Sequence, residues 1–414
     1  MSNNNMVKVT KSKLIALANA IKSKAGIDIS ETLTLSEMLE NIPVPGDEGI
    51  YDTNGEKLKS WRQMVDDGDV IVAENGTIST PSDRATRFAQ VAEINIPEGT
   101  TSIGASAFKN CTNLTTVVIP DSITKINNNA FESCLKLDNV IIPESVTTIG
   151  NYAFSSCSAI TSIELPNGIN KIGAGLFRYC SKLSSVNIPN GVTEIGTEAF
   201  SGCNSIASLS IPGTVTSIGQ KAFANCSSIT SIAIPGSVKK ISDYAFSKCS
   251  LLATLVMQEG VTSVGKYAFE ECSKLANISF PTTLTTLEEH AFDYCRALTL
   301  NTIPNTITTL KSGVFSYCSG ITSFVIPETM NSIIDYLFSG CIGLTSITIP
   351  ATVTSIGSSA FQNCTGLTSI TIPSSVTTIG STTFTNCRNL TTINYSGSAT
   401  GAPWGATNAT VVSS

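Results

Sequence analysis

From Val91 to Asn389 the apolar residues of this chain return every 23 residues. Counted from its leucine, the unit reads L-T-S-I-x-I-P-x-x-V-T-x-I-G-x-x-A-F-x-x-C-x-x, as in Leu367 to Asn389. Positions 1, 4 and 6 are apolar (Leu114, Val117, Ile119; Leu344, Ile347, Ile349), and 4 and 6 flank an outward residue at 5, the alternation of a strand. Proline at position 7, present in twelve of thirteen units from Pro97 to Pro373, has no N–H for a ladder and stops the strand. Apolar positions 10 and 13 (Val146, Ile149) open a second short segment. Glycine at position 14 (Gly104, Gly150, Gly173, Gly357) permits a tight corner. Ala-Phe-x-x-Cys then has helical or 3₁₀ spacing and turns the chain back.

A fixed period of about 20–29 residues marks a solenoid of stacked units. No unit can bury its inward positions alone. Stacked about 4.8 Å apart, each position becomes a ladder, and the units form a rod roughly 60 Å long. The expected fold is therefore β-rich, α+β in class: a solenoid of thirteen 23-residue repeats, with a small helical N-terminal module and a C-terminal cap.

The repeat resembles the BspA-type leucine-rich repeats of bacterial surface proteins over residues 91–389, in its length and in its Pro, Ala-Phe and Cys positions. The resemblance implies a right-handed solenoid used for binding, and brings no catalytic residues. It departs from the general leucine-rich pattern at position 9, where Ser122, Thr214 and Thr352 stand in place of Asn. A hydroxyl ladder is expected to satisfy the backbone there.

Cysteine usage changes the picture less than its count implies. The thirteen cysteines, Cys111 to Cys387, fall one per unit, each three residues after a phenylalanine. Equivalent side chains in a stack point the same way, whereas a disulfide needs converging Cβ vectors. Metal sites need clustered ligands such as C-x-x-C, and here each thiol stands alone beside a single histidine in the whole chain. The thiols read as buried packing residues, with no metal and no cofactor expected.

Four regions are expected, the repeats at 91–389 and, outside them, 1–46, 47–90 and 390–414. Thr10 to Gly26 reads as an amphipathic helix carrying Leu14, Leu17, Ala18 and Ile21. Thr34-Leu-Ser-Glu37 is a capping box opening a second helix, which Pro43-Val-Pro-Gly46 ends. This pair resembles an N-terminal module of tail-associated proteins encoded by phages and prophages of gut Firmicutes, which implies attachment to a larger assembly. Residues 47–90 carry two turn signals, Asn54-Gly55 and Asn75-Gly76, around a short helix with Trp61. After Asn389 the pattern decays, and Trp404, Val411 and Val412 are expected to cover the last core layer.

Lys8, Lys11 and Lys13 precede LIALANAI, but Asn19 interrupts that run and Lys22 and Lys24 follow at once. A Sec signal peptide needs a longer clean core. No run reaches membrane-spanning length, so no membrane insertion is expected. Location is therefore expected to be extracellular through a tail particle, or cytoplasmic.

The net charge of −6, with 14% charged residues, leaves no basic footprint for nucleic acid. There is no G-x-S-x-G, H-E-x-x-H or glycine-rich phosphate loop, and His290 has no partner histidine, so a non-enzyme is expected. Binding has two candidate surfaces. Strand positions 2, 3 and 5 give an outward wall of Thr345, Ser346, Thr348, Thr368, Ser369 and Thr371, although Thr and Ser also simply suit an exposed strand. Between 244 and 338 the consensus weakens, and Tyr244, Tyr267, His290, Tyr294, Tyr317 and Tyr336 gather at positions 16 and 20. If that segment is helical, these lie one turn apart on one face, where tyrosine suits recognition; drift in tolerant positions is the plain alternative. The expected function is recognition or adhesion toward a cell-surface protein or glycan. The alternative is an intracellular scaffold or spacer without an external ligand.

Overall fold

The computed structural model describes residues 49–51, 57–60, 71–72, 77–79, 88 and 90–413. The helices expected at 10–26 and 34–42 and the one around Trp61 lie outside these residues. What is described is a parallel β-solenoid of strands and turns, with no helix among the described residues.

Two strand ladders run along the stack. In the first, Ser231–Ile234, Thr254–Met257 and Asn277–Ser279 pair in parallel, with Leu255 opposite both Ile232 and Ile278. In the second, two-residue strands from Lys171–Ile172 to Thr309–Leu310 form a seven-stranded parallel sheet. Each pairing advances by one unit, so the apolar residue of one coil always meets its equivalent in the next. The strands end at position 7 because its proline cannot donate. Amides along the first ladder bond in both directions: Ala276 N backward to Ala253 O at 3.1 Å, and Ile326 N forward to Thr348 O at 3.0 Å.

The third side of each coil corrects the helical reading of Ala-Phe-x-x-Cys. In coil 253–275 the amides of Ala268, Glu270 and Cys272 bond locally, to the carbonyls of Gly265, Tyr267 and Phe269. The amides between them, Tyr267, Phe269 and Glu271, bond forward to Glu289, Ala291 and Asp293 of the next coil, at 3.0, 2.9 and 2.8 Å. A helix would keep all six donors within the segment. Alternating them requires left-handed residues at positions 16 and 20, here Tyr267 at φ 53° and Glu271 at φ 56°. The segment is thus a third ladder, whose inter-coil donors point forward.

The phenylalanines form one continuous stack from Phe108 to Phe384; centroids are 5.1 Å apart at Phe223–Phe246 and 6.1 Å at Phe154–Phe177. Burying such a ring fully contributes about 1.5–3 kcal/mol. The cysteines are free and buried. They do more than fill space: each thiol from Cys134 to Cys387 donates to the phenylalanine carbonyl of the preceding coil, as Cys272 Sγ does to Phe246 O at 3.2 Å. Burial pushes these thiols up, to about 12 at Cys180, Cys249 and Cys341. The hydroxyl ladder at position 9 is present: Ser145 Oγ donates to Ile123 O at 2.7 Å, Thr214 Oγ1 to Val192 O at 2.8 Å, and Thr352 Oγ1 to Met330 O at 3.0 Å.

Position 14 has a different reason for its glycine than a tight corner. A Cβ on Gly150 would overlap the backbone nitrogen of Asn128 in the preceding coil. The glycine serves close coil-to-coil approach.

Both ends of the stack are covered. At the start, Gly49–Tyr51 pairs antiparallel with Lys57–Ser60 and with Glu93–Asn95, and Thr77–Ser79 joins the second ladder beside Ser102–Ile103. At the end, Thr410–Val412 adds a strand to Thr392–Tyr395. Trp404 is fully buried, its carbonyl accepts from Phe384 N at 3.0 Å, and its indole meets Tyr395 edge-on at 5.4 Å.

Candidate functional site

Of the nine tyrosines, Tyr152, Tyr179, Tyr244, Tyr267, Tyr294, Tyr317 and Tyr336 all have φ between 53° and 60°. The other two, Tyr51 and Tyr395, are buried. A left-handed residue with a side chain costs roughly 1–2 kcal/mol, least for Asn. β-Branched residues avoid positions 16 and 20 throughout. Thr382 is the one exception, and it is not among the left-handed residues.

The rings make two stacks rather than one shared face. At position 16, Tyr244 lies 5.0 Å from Tyr267, which lies 4.9 Å from His290, with planes within 11°. At position 20, Tyr294 and Tyr317 are 4.3 Å apart. Each stack ends on a glycine one coil later: a Cβ on Gly313 would overlap the His290 ring, and one on Gly340 the Tyr317 ring. Tyr152 over Gly175 and Tyr179 over Gly202 repeat the arrangement. Six of these tyrosine rings lean on a second ring or a glycine in the next coil, whereas Tyr336 is followed by Ser359. Tyr317 and Tyr336 are 38% and 44% exposed, while Tyr244, Tyr267, His290 and Tyr294 are half-buried.

Between the two left-handed positions lies position 19. Ser247, Ser316 and Ser339 are buried there, and so is Asp293. Glu270, half-buried, accepts from Ser247 Oγ at 3.0 Å. Asp293 Oδ2 lies 3.2 Å from His290 Nδ1, and its Oδ1 is buried without a hydrogen-bond partner. Burial, with the charge of Glu270 beside it, pushes the Asp293 carboxyl up to about 7. Burial also lowers His290, against the opposing pull of Glu289 and Glu270. The protein's own cations lie over rings at three places: Arg178 at 4.6 Å from the Tyr179 centroid, Lys221 at 5.5 Å from Tyr244, and Arg296 at 5.5 Å from Tyr294.

The strand wall is exposed at all six expected residues, Thr345, Ser346, Thr348, Thr368, Ser369 and Thr371. Some of its polar groups are engaged within the solenoid. Thr345 Oγ1 donates to Thr322 O at 2.9 Å, Thr368 O accepts from Thr391 Oγ1 at 3.2 Å, and Thr371 Oγ1 accepts from Asn394 at 3.3 Å. Where the first ladder lapses at Ser208–Ile211, a groove of about 610 Å³ opens, lined by Ser184, Ser208, Leu209, Ser231 and Gln258.

The description "BspA type Leucine rich repeat region (6 copies)" matches residues 83–207, 193–322 and 314–406. The chain belongs to the BspA-type leucine-rich repeat family. A leucine-rich repeat protein of Bacteroides ovatus is similar at 26% identity and TM-score 0.60, covering 84% of this chain and 89% of that one. A leucine-rich cell surface protein of Faecalibacterium prausnitzii shares 26% identity at TM-score 0.45, over 82% and 95% of the two chains. No curated protein matches.

In this BspA-type solenoid no described helix is long and apolar enough to cross a membrane. No three His, Cys, Asp or Glu side chains cluster as metal ligands among the described residues. The sequence reading missed position 19 entirely. Its signal was legible: Glu270 and Asp293 stand where Ser155, Ser201, Ser247, Ser316 and Ser339 stand in other coils.

Proposed function

We propose that this BspA-type chain is a non-catalytic recognition protein that binds a protein or glycan at a cell surface through the tyrosine-bearing edge of coils 244–339. Repeats of this type typically serve protein binding and surface adhesion. The observation that carries the reading is the placing of tyrosine where the backbone is left-handed. Strain there is roughly 1–2 kcal/mol per residue, and a stacked aromatic pair offsets about 0.5–1.5 kcal/mol of it. Stacking therefore accounts for Tyr244, Tyr267 and Tyr294 in part, and less for Tyr336, which stands alone beyond Gly313 with 44% of its surface exposed. Strain kept at an exposed aromatic surface fits a binding role. Attachment of residues 1–46 to a larger particle, such as a phage tail, is part of this proposal and rests on their sequence alone.

The test is a glycan and protein array probed with the intact protein, then with the triple variant Y267S/Y294S/Y317S. About fivefold weaker binding or more is expected for each dominant ring, on the scale of 1 kcal/mol. Changes at Ser359, Asn363 and Thr382 should have no effect. Unchanged binding by the triple variant would move the site to the strand wall, with Thr348 and Thr371 next to be replaced. An array without any ligand would favour the scaffold reading.

A further inference from the structure

Three features around Asp293, in coils 253–321, point to one ligand chemistry. First, Asp293 is buried to 7% exposure, and its Oδ1 has no partner. A buried polar atom left unsatisfied is uncommon and calls for a missing partner. Second, its one ion-pair contact among the described residues is His290, while the neighbouring acids are already engaged: Glu271 with Lys248 at 3.5 Å, Glu289 with Lys266 at 2.9 Å, and Glu270 with Ser247. Third, the flanking rings belong to a surface that already takes cations, since Lys221 and Arg296 lie over Tyr244 and Tyr294.

We propose that Asp293, beside His290 and Tyr294, pairs with an arginine or lysine side chain of a protein partner. This deepens the recognition reading above and rests on it. His290 holds the carboxyl from one side through Nδ1 at 3.2 Å, so an incoming cation competes with that contact. It then meets a carboxyl group whose other oxygen has no partner, which ionises as the two pair and forms a charge-assisted hydrogen bond. Neighbouring coils show what the site would be without that demand. Ser247, Ser316 and Ser339 fill position 19 there, buried and uncharged.

The experiment uses peptides displayed at high density that differ only at one central residue: arginine, citrulline, lysine or norleucine. Intact protein, D293S and a distant charge control, E144Q, are compared, with melting curves confirming that each is folded. D293S installs the residue of the following coil, Ser316, and should fold. Intact protein and E144Q should capture the arginine peptide at least tenfold better than the citrulline one, and D293S should lose that preference. Equal capture of the two peptides, capture of neither, or a preference that survives in D293S overturns the proposal. If Y267S/Y294S/Y317S abolishes array binding while D293S leaves the preference intact, recognition stands and the cation site falls. The cation site falls equally if the array ligand is an uncharged glycan.

Discussion

Coils 344–389 and coils 244–339 are built on one backbone and differ in what they hang on it. In the first region the left-handed positions hold Ser359, Asn363 and Asn386, and position 14 holds Gly357 and Gly380. In the second they hold five tyrosines and His290, with Lys248, Glu271 and Gly313, and position 14 passes from Gly265 to Glu288, Lys311 and Ile334. The inner ladders do not register the change: Phe269–Phe292 and Phe361–Phe384 are 5.5 and 5.6 Å apart. The outer ones do, since the second strand ladder breaks between Leu310 and Ile333 and the first has no strand at 300–302. Bulk at position 14 does not by itself break the ladder, since the strands before Glu288 and Lys311 stay paired, and the break after Ile149 keeps Gly150 and Gly173. The phenylalanine and cysteine ladders run through both regions, but the departures also reach the core around them: Val314 and Leu337 replace the alanine of position 17, and buried Phe324 meets Phe338 edge-on at 4.9 Å.

If the two regions share a core, truncating it should cost the same in both. Phe269→Ala and Phe361→Ala should each lose about 3–5 kcal/mol. Because each coil touches only its neighbours, the damage should stay local. Thiol labelling read by mass spectrometry should then find Cys272 and Cys295 exposed in the first variant, and Cys364 and Cys387 in the second. The native protein should label at almost none of its thirteen cysteines. A cost that differs by more than about 2 kcal/mol between the variants would break the claim of equal cores.

Asp293 supplies a smaller difference, visible only through pH. Its carboxyl is pushed up to about 7 in the folded protein, against about 3.9 in an unfolded chain. The folded state therefore keeps its proton where the unfolded state has lost it, and stability falls as pH rises between those values. Relative to D293S, the wild type should lose on the order of 2 kcal/mol between pH 4 and pH 8, with most of the change complete by pH 8. A gap between the two denaturation curves that does not move with pH would show that Asp293 is not held neutral by its surroundings.

Most of the solenoid was legible because its signals repeat: Leu114, Pro120, Phe131 and Cys134 recur thirteen, twelve, thirteen and thirteen times in equivalent places, allowing other apolar residues for the leucine. The helical reading of Ala-Phe-x-x-Cys failed for a specific reason. Spacing reports which side chains face inward, and an alternation of local and forward hydrogen bonds has the same inward spacing as one helical turn. The discriminating signal was the near-absence of β-branched residues at positions 16 and 20, which φ near +57° excludes. The glycines after each tyrosine run were legible too, once ring and glycine are compared one coil apart. The acid at position 19 was legible as a departure from serine, but its burial and unpartnered oxygen were not, because burial between two left-handed residues is a property of the backbone path.

The smallest expected effect sharpens the comparison most. Tyr336 should be worse for stability than the residues the first region uses, so Tyr336→Asn should stabilise the protein by about 0.5–1 kcal/mol while weakening attachment. The reverse exchange, Asn363→Tyr, should lose about 1 kcal/mol or more. It adds strain, removes the bond between Asn386 Nδ2 and Asn363 Oδ1 at 3.1 Å, and places a ring over Asn386 rather than over a glycine or another ring. If the ring needs a flat seat on the next coil, N363Y/N386G should be more stable than the sum of the single changes, by about 0.5 kcal/mol or more in a double-mutant cycle. Additive changes would mean that the glycines after Tyr152, Tyr179, His290 and Tyr317 answer to their own backbone alone. The two tyrosine stacks would then lose their structural explanation and stand on binding only.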